Sequence, residues 1–187
     1  MGNYKYLFVP VPSRRFGRSL GVDLTPYKTC SPDFVFCQLG RASEKTITRQ
    51  EYVPLEMVLF ELEDWLKKDG RAQYITLSGS GEPTLHSRFG EVLEFINNKS
   101  TISTAVLTNG TMLHLPEVRH AAALANVVKV SLSAWNQIGE IFSIHLNEVL
   151  KYLGNLIRNN QICTKFKNTS VYYTAINAKA NSMTTYE

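Results

Sequence analysis

Lys28-Thr29-Cys30-Ser31-Pro32-Asp33-Phe34-Val35-Phe36-Cys37-Gln38 carries two of the chain's three cysteines, with six residues between them. Pro32 and Asp33 favour a turn, so the segment can fold back and aim both thiols at one point. Thiolates are soft ligands that select zinc, copper(I) or iron–sulfur clusters. The spacing suits neither a thioredoxin-type redox pair nor a zinc knuckle, both of which need closer cysteines. Free cysteine is also among the most buried residue types, and spacing alone leaves a metal loop and two buried thiols as equal readings.

Outward from this loop, composition sets the frame. The chain has 187 residues, 44% hydrophobic and 19% charged, which is enough for one domain with its own core. An odd and small number of cysteines indicates no disulfide framework, and a reducing cytoplasm is expected. No apolar run has the length of a signal peptide or a membrane span. The net charge of +4 permits a nucleic-acid partner without arguing for one. Pro10 to Arg18 reads as an irregular, basic lead-in: two prolines exclude a helix, and Arg14, Arg15 and Arg18 read as solvated surface.

Apolar alternation then predicts a strand over Leu20–Leu24, just ahead of the cysteine loop. Pro54 opens a helix whose Leu55, Val58, Leu59, Leu62, Trp65 and Leu66 share one face, and Gly70 ends it. Strands are expected at Tyr74–Leu77, Thr104–Leu107, Val127–Leu132 and Thr169–Ala175. Helices are expected at Glu91–Ile96, Pro116–Leu124 and Asn147–Arg158. Strands alternating with helices argue for a parallel sheet with crossover connections. Residues 177–187 are polar and without period, and are expected to fray from a single domain spanning 1–187.

Ligands of open α/β sheets gather at the carboxyl ends of the strands. Ser78-Gly79-Ser80-Gly81-Glu82-Pro83-Thr84 follows one predicted strand, Leu107-Thr108-Asn109-Gly110 closes the next, and Ser131-Leu132-Ser133 closes the one after. The Gly-x-Gly turn is no phosphate loop, because no Lys-Ser/Thr pair follows. The four histidines have no paired metal spacing, and His86 reads as a helix-start residue making a local hydrogen bond. Cys163 reads as a core thiol.

Taken together, these motifs resemble the radical S-adenosylmethionine superfamily, whose cluster loop is Cys-x-x-x-Cys-x-aromatic-Cys. Cys30 and Cys37 match the first and third cluster ligands and Phe36 the aromatic; the middle ligand position is Phe34. The lead-in from Pro10 to Leu24 resembles a subgroup similar to the tRNA wybutosine-synthesis enzymes. The resemblance covers about residues 6 to 135 at the level of motifs. It implies an incomplete parallel (β/α) barrel, with a [4Fe–4S] cluster and S-adenosylmethionine as cofactors. It implies Cys30 and Cys37 as cluster ligands and Phe36 against the adenine. Gly79, Ser80, Gly81 and Glu82 would hold the methionyl amino group, and Asn109, Ser131 and Ser133 would line the rest of the cofactor. The implied reaction is reductive cleavage of S-adenosylmethionine to a 5′-deoxyadenosyl radical on a substrate that the sequence does not name, RNA and protein being the candidates, with an electron donor as partner of an active enzyme. The alternative is a truncated, non-catalytic relative that binds or scaffolds, and a third reading is zinc on Cys30, Cys37 and Asp33 or a histidine. A barrel cut short should also expose the edge of its last strand, Thr169–Ala175, and self-associate there.

Overall fold

The computed structural model describes residues 4–13, 16–31, 37, 39–68, 70–132, 170–177 and 182–186. Its elements in chain order are β1 (Leu7–Ser13), β2 (Gly17–Val22), β3 (Thr29–Cys30), β4 (Glu44–Lys45), α1 (Leu55–Lys68), β5 (Tyr74–Leu77), α2 (Phe89–Lys99), β6 (Ser103–Thr108), α3 (Pro116–Ala122), β7 (Val127–Leu132), β8 (Ser170–Asn177) and β9 (Ser182–Tyr186). One sheet runs in the order β1-β2-β5-β6-β7-β8-β9. β2, β5, β6, β7 and β8 are mutually parallel, while β1 and β9 pair antiparallel at the two sides. The parallel strands lie side by side in chain order, without the reversal that marks a doubly wound sheet. β3 and β4 form a small parallel ribbon of their own, which carries Cys30.

The helices build the core as their periodicity predicts. Leu55, Val58, Leu62 and Trp65 of α1 are buried, with Leu59 and Leu66 packed against them. Phe89, Val92, Leu93 and Ile96 of α2 are fully buried. They meet Leu20 and Val22 of β2, Ile75 and Leu77 of β5, and Val106 and Val128 beyond. The opposite face of the sheet holds a smaller cluster of Phe16, Ala105 and Val127, with Tyr74 packed against it. Each fully buried Leu or Phe in such a core contributes about 1.5–3 kcal/mol. α1 packs on α2, and α2 on α3, so consecutive helices stand next to each other as consecutive strands do.

Two expectations are corrected. The lead-in is a strand, β1, rather than irregular chain. Proline cannot donate to a ladder and so is confined to edges and bulges; Pro10 and Pro12 sit in an edge strand whose register shifts between Phe8 and Val11. The segment after Asn177 does not simply fray: Ser182–Tyr186 returns as β9 on β8, from Tyr173↔Tyr186 to Asn177↔Ser182. Met, Thr and Tyr suit a strand once a neighbour supplies the ladder, and no local period is needed for that. β8 is therefore an inner strand, and the outermost described strand on that side is β9. The predicted helix Asn147–Arg158 and Cys163 lie outside the described residues. Among the described residues, no helix is long and apolar enough to cross a membrane.

A prediction follows from β9. Truncation after Asn177 uncovers a strand with Val171, Tyr172 and Tyr173 and no charge in its span, and bare edges of that kind pair with other chains. The truncated chain is expected to scatter light increasingly with concentration, while the full chain does so less. Equal scattering from the two would mean that β9 protects nothing.

Candidate functional site

The parallel strands β2, β5 and β6 deliver Asp23, the Ser78–Glu82 turn and Asn109 to one end of the sheet. The chain leaving β2 passes over this end as it runs toward Cys30. Ser80 locks the two exits together: its N–H donates to Asp23 Oδ2 at 3.0 Å, and its carbonyl accepts the Lys28 N–H at 2.7 Å. Glu82 N–H donates to Thr29 O at 3.0 Å. Lys28 itself takes a left-handed φ of 62°, uncommon for a side chain with a Cβ.

The glycines answer to this closeness. Gly79 has a φ of 144°, and a Cβ there would stand 2.5 Å from the Asp23 carboxyl carbon. A Cβ on Gly81 would lie 1.9 Å from the Thr29 carbonyl oxygen. The turn therefore needs glycine in order to approach the chain's own cysteine-bearing segment, whatever ligand it also meets.

Glu82 is 2% exposed. Its Oε1 accepts from Thr84 N at 3.1 Å, Thr84 Oγ1 at 2.6 Å and Thr108 Oγ1 at 2.6 Å; its Oε2 accepts from Asn109 N at 2.8 Å. Thr108 Oγ1 in turn accepts from Gly110 N at 3.0 Å, which leaves its own proton for the carboxylate. Burial pushes the Glu82 carboxyl above its ordinary range, and the bonds from Asn109, Thr108 and Thr84 pull partly back. All four partners are neutral. Among the described residues no cation bonds it, and an anion this deep without one is expensive.

Asn109 joins the two halves of the site. Its side-chain nitrogen donates to Ser31 Oγ at 3.0 Å and lies 3.5 Å from Cys30 Sγ, while its Oδ1 accepts from Thr111 N at 2.8 Å and Thr111 Oγ1 at 2.6 Å. Ser31 and Thr111 also share a hydroxyl–hydroxyl bond. The Asn109 amide thus bonds the protein's own loop. Burial, followed by the nearby Glu82 charge, pushes the Cys30 thiol up to about 12, with Asn109 opposing. Cys37 is exposed, and its carbonyl accepts the Gly40 N–H at 2.9 Å.

Asn109→Ala removes this clasp, at a cost of about 2 kcal/mol for the bonds lost. Cys30 is then expected to react with iodoacetamide about tenfold faster or more, as the loop opens locally. The comparison uses a background in which Cys37 and Cys163 are serine. An unchanged rate would show that the loop is held elsewhere.

The other expected site residues divide. Ser131, at the end of β7, is half-buried and pairs with Thr174 through the backbone. Phe34, Phe36 and Ser133 lie outside the described residues, as does Asp33. His86 is wholly buried: its Nδ1 accepts from Arg88 N at 3.2 Å, and its Nε2 therefore donates to Val53 O at 2.9 Å. Three contributors carried no sequence signal as such, namely Thr84 and Thr108 on Glu82 and Asp23 under Ser80.

No protein-family model matches the chain. It is 42% identical over 127 residues to a UPF0026 protein of Synechocystis, across 67% of this chain and 47% of that relative. It is 31% identical over 178 residues to a UPF0026 protein of Methanocaldococcus jannaschii, across 87% of this chain and 55% of the relative. A protein of Brachyspira hyodysenteriae named GTPase Obg is 36% identical over 132 residues, 71% of this chain but 19% of that protein. The chain thus spans about half the length of the two UPF0026 relatives. Among solved structures, an archaeal TYW1 superposes with a TM-score of 0.49 at 14% identity, covering 89% of this chain and 67% of that one.

Proposed function

We propose that this chain is a radical S-adenosylmethionine-type domain, an arc of parallel (β/α) units, that holds S-adenosylmethionine by its amino group at Glu82. The observation that carries the reading is the buried Glu82 carboxylate, bonded by four neutral donors and by no cation among the described residues. The sheet order supports it, since parallel strands added in chain order are what an arc of a barrel requires. Sequence supports it too, since Glu82 stands where the resembled superfamily places its amino-group acceptor.

The amino-group subsite fits its ligand; the iron–sulfur ligand set does not. Cys30 and Cys37 bring two thiols, and the position between them is Phe34, whose ring has no lone pair for iron. Binding is the activity assigned to this chain. In that role Glu82 accepts the ammonium, Thr84, Thr108 and Asn109 orient the carboxylate, and Asp23 with Ser80 fixes the turn that presents it. Phe36 is assigned the adenine, and Ser131 with Ser133 the ribose and carboxylate.

Calorimetric titration of S-adenosylmethionine against 5′-methylthioadenosine tests this. The second compound keeps the nucleoside and lacks the amino acid. Binding at least about tenfold tighter for S-adenosylmethionine is expected from one charge-assisted contact. Equal affinities, or no binding of either, would end the reading.

A further inference from the structure

We infer that Phe34, between Cys30 and Cys37 in the sequence, keeps this chain from holding a [4Fe–4S] cluster, because its side chain brings no donor atom for iron. The inference rests on the radical S-adenosylmethionine-type reading of the loop. Both cysteines that flank position 34 in the sequence make a backbone hydrogen bond through their carbonyl. Cys30 lies in β3, its carbonyl accepts the Thr46 N–H at 3.2 Å, and its thiol meets the Asn109 amide. The neighbouring Ser31 is held by Asn109 and Thr111. Beyond position 34, the carbonyl of Cys37 accepts the Gly40 N–H and its side chain is exposed, open to a ligand. What the loop lacks is a donor atom. Three of a cluster's four irons take terminal ligands from such a loop; here the residue at one of those three positions is phenylalanine, which has no lone pair to give. A cluster bound by two thiolates leaves a second iron open to solvent thiols and chelators and is lost on desalting.

The test uses the full chain, native and as Phe34→Cys and Phe34→Ser, each reconstituted anaerobically with ferrous iron and sulfide, desalted and assayed for both. The serine variant removes the bulk of the ring without adding a thiol. Circular dichroism establishes that each chain is folded. The native chain and Phe34→Ser are expected to keep less than about one iron, and Phe34→Cys about four irons and four sulfides. About four irons on the native chain would overturn the inference. So would a folded Phe34→Cys with no gain, or a Phe34→Ser that gains as much as Phe34→Cys, since bulk rather than the missing thiol would then be the cause. S-adenosylmethionine titration of the iron-free native chain is a separate readout. A failed iron experiment with intact binding rejects only this inference, and lost binding rejects the function proposed for Glu82.

Discussion

Gly81→Ala is expected to destabilise the chain by about 3 kcal/mol, at the upper end of what overpacking costs. The added methyl group would stand 1.9 Å from the Thr29 carbonyl oxygen and 2.6 Å from Thr25 Oγ1. The first of these is backbone, so no rotamer change relieves it. Either the 25–30 segment moves away, losing the Glu82 N–H to Thr29 O bond and the Lys28 N–H to Ser80 O bond, or the turn itself deforms. Both routes disturb the segment that leads to Cys30. The midpoint of urea unfolding checks this, with an unchanged slope expected. A loss below about 1 kcal/mol would mean that the two segments separate easily and that their contact positions little.

Glu82→Gln is expected to weaken S-adenosylmethionine binding by about 100-fold, equivalent to about 3 kcal/mol for removing the anion from a buried charge pair. The amide keeps the shape of the side chain. It can still accept through one oxygen, but its NH2 group faces a donor wherever it is placed, which costs about 1–2 kcal/mol of stability. Calorimetry reads the affinity and urea unfolding the fold, so a folded variant with native affinity would remove Glu82 from the site.

The pH dependence has a definite sign. Burial raises the Glu82 carboxyl above the ordinary 4.5, so the folded chain keeps this proton to a higher pH than the unfolded chain does. Its contribution to stability therefore falls as pH rises from 4.5 through the raised value, and Glu82→Gln abolishes that slope. Ammonium binding runs the other way. Below the raised value the carboxyl is protonated, and affinity is expected to fall by about tenfold per pH unit; above it, affinity levels off.

The helices were legible because their signal is local. Phe89, Val92, Leu93 and Ile96 share a face by spacing alone, and the same four residues are buried. The parallel strands were legible for a similar reason, as short β-prone runs between helices. β1 was hidden by its two prolines, which deny a helix but not an edge strand. β9 was hidden because its partner makes it a strand and its own pattern does not. At the site, Glu82 and Asn109 stood out by position after strands. Their actual partners did not, since Asp23 and Ser80 are 57 residues apart and Glu82 and Asn109 are 27 apart. No periodicity reports a bond of that span. The same holds for the Asn109 amide, which closes on Ser31 and Cys30, 78 and 79 residues away.

The bonds of Ser80 to Asp23 and Lys28, and of Glu82 to Thr29, have a bearing on protein engineering. They make residues 23–31 and 78–84 a single transplantable module rather than two loops. Grafted alone onto another parallel sheet, the cysteine segment would arrive without the turn that receives its backbone, and Lys28 would relax from its left-handed conformation. Grafted together, with Asn109 supplied by the next strand, the two segments carry their own alignment. The unit of exchange in this architecture is thus a pair of neighbouring strand exits.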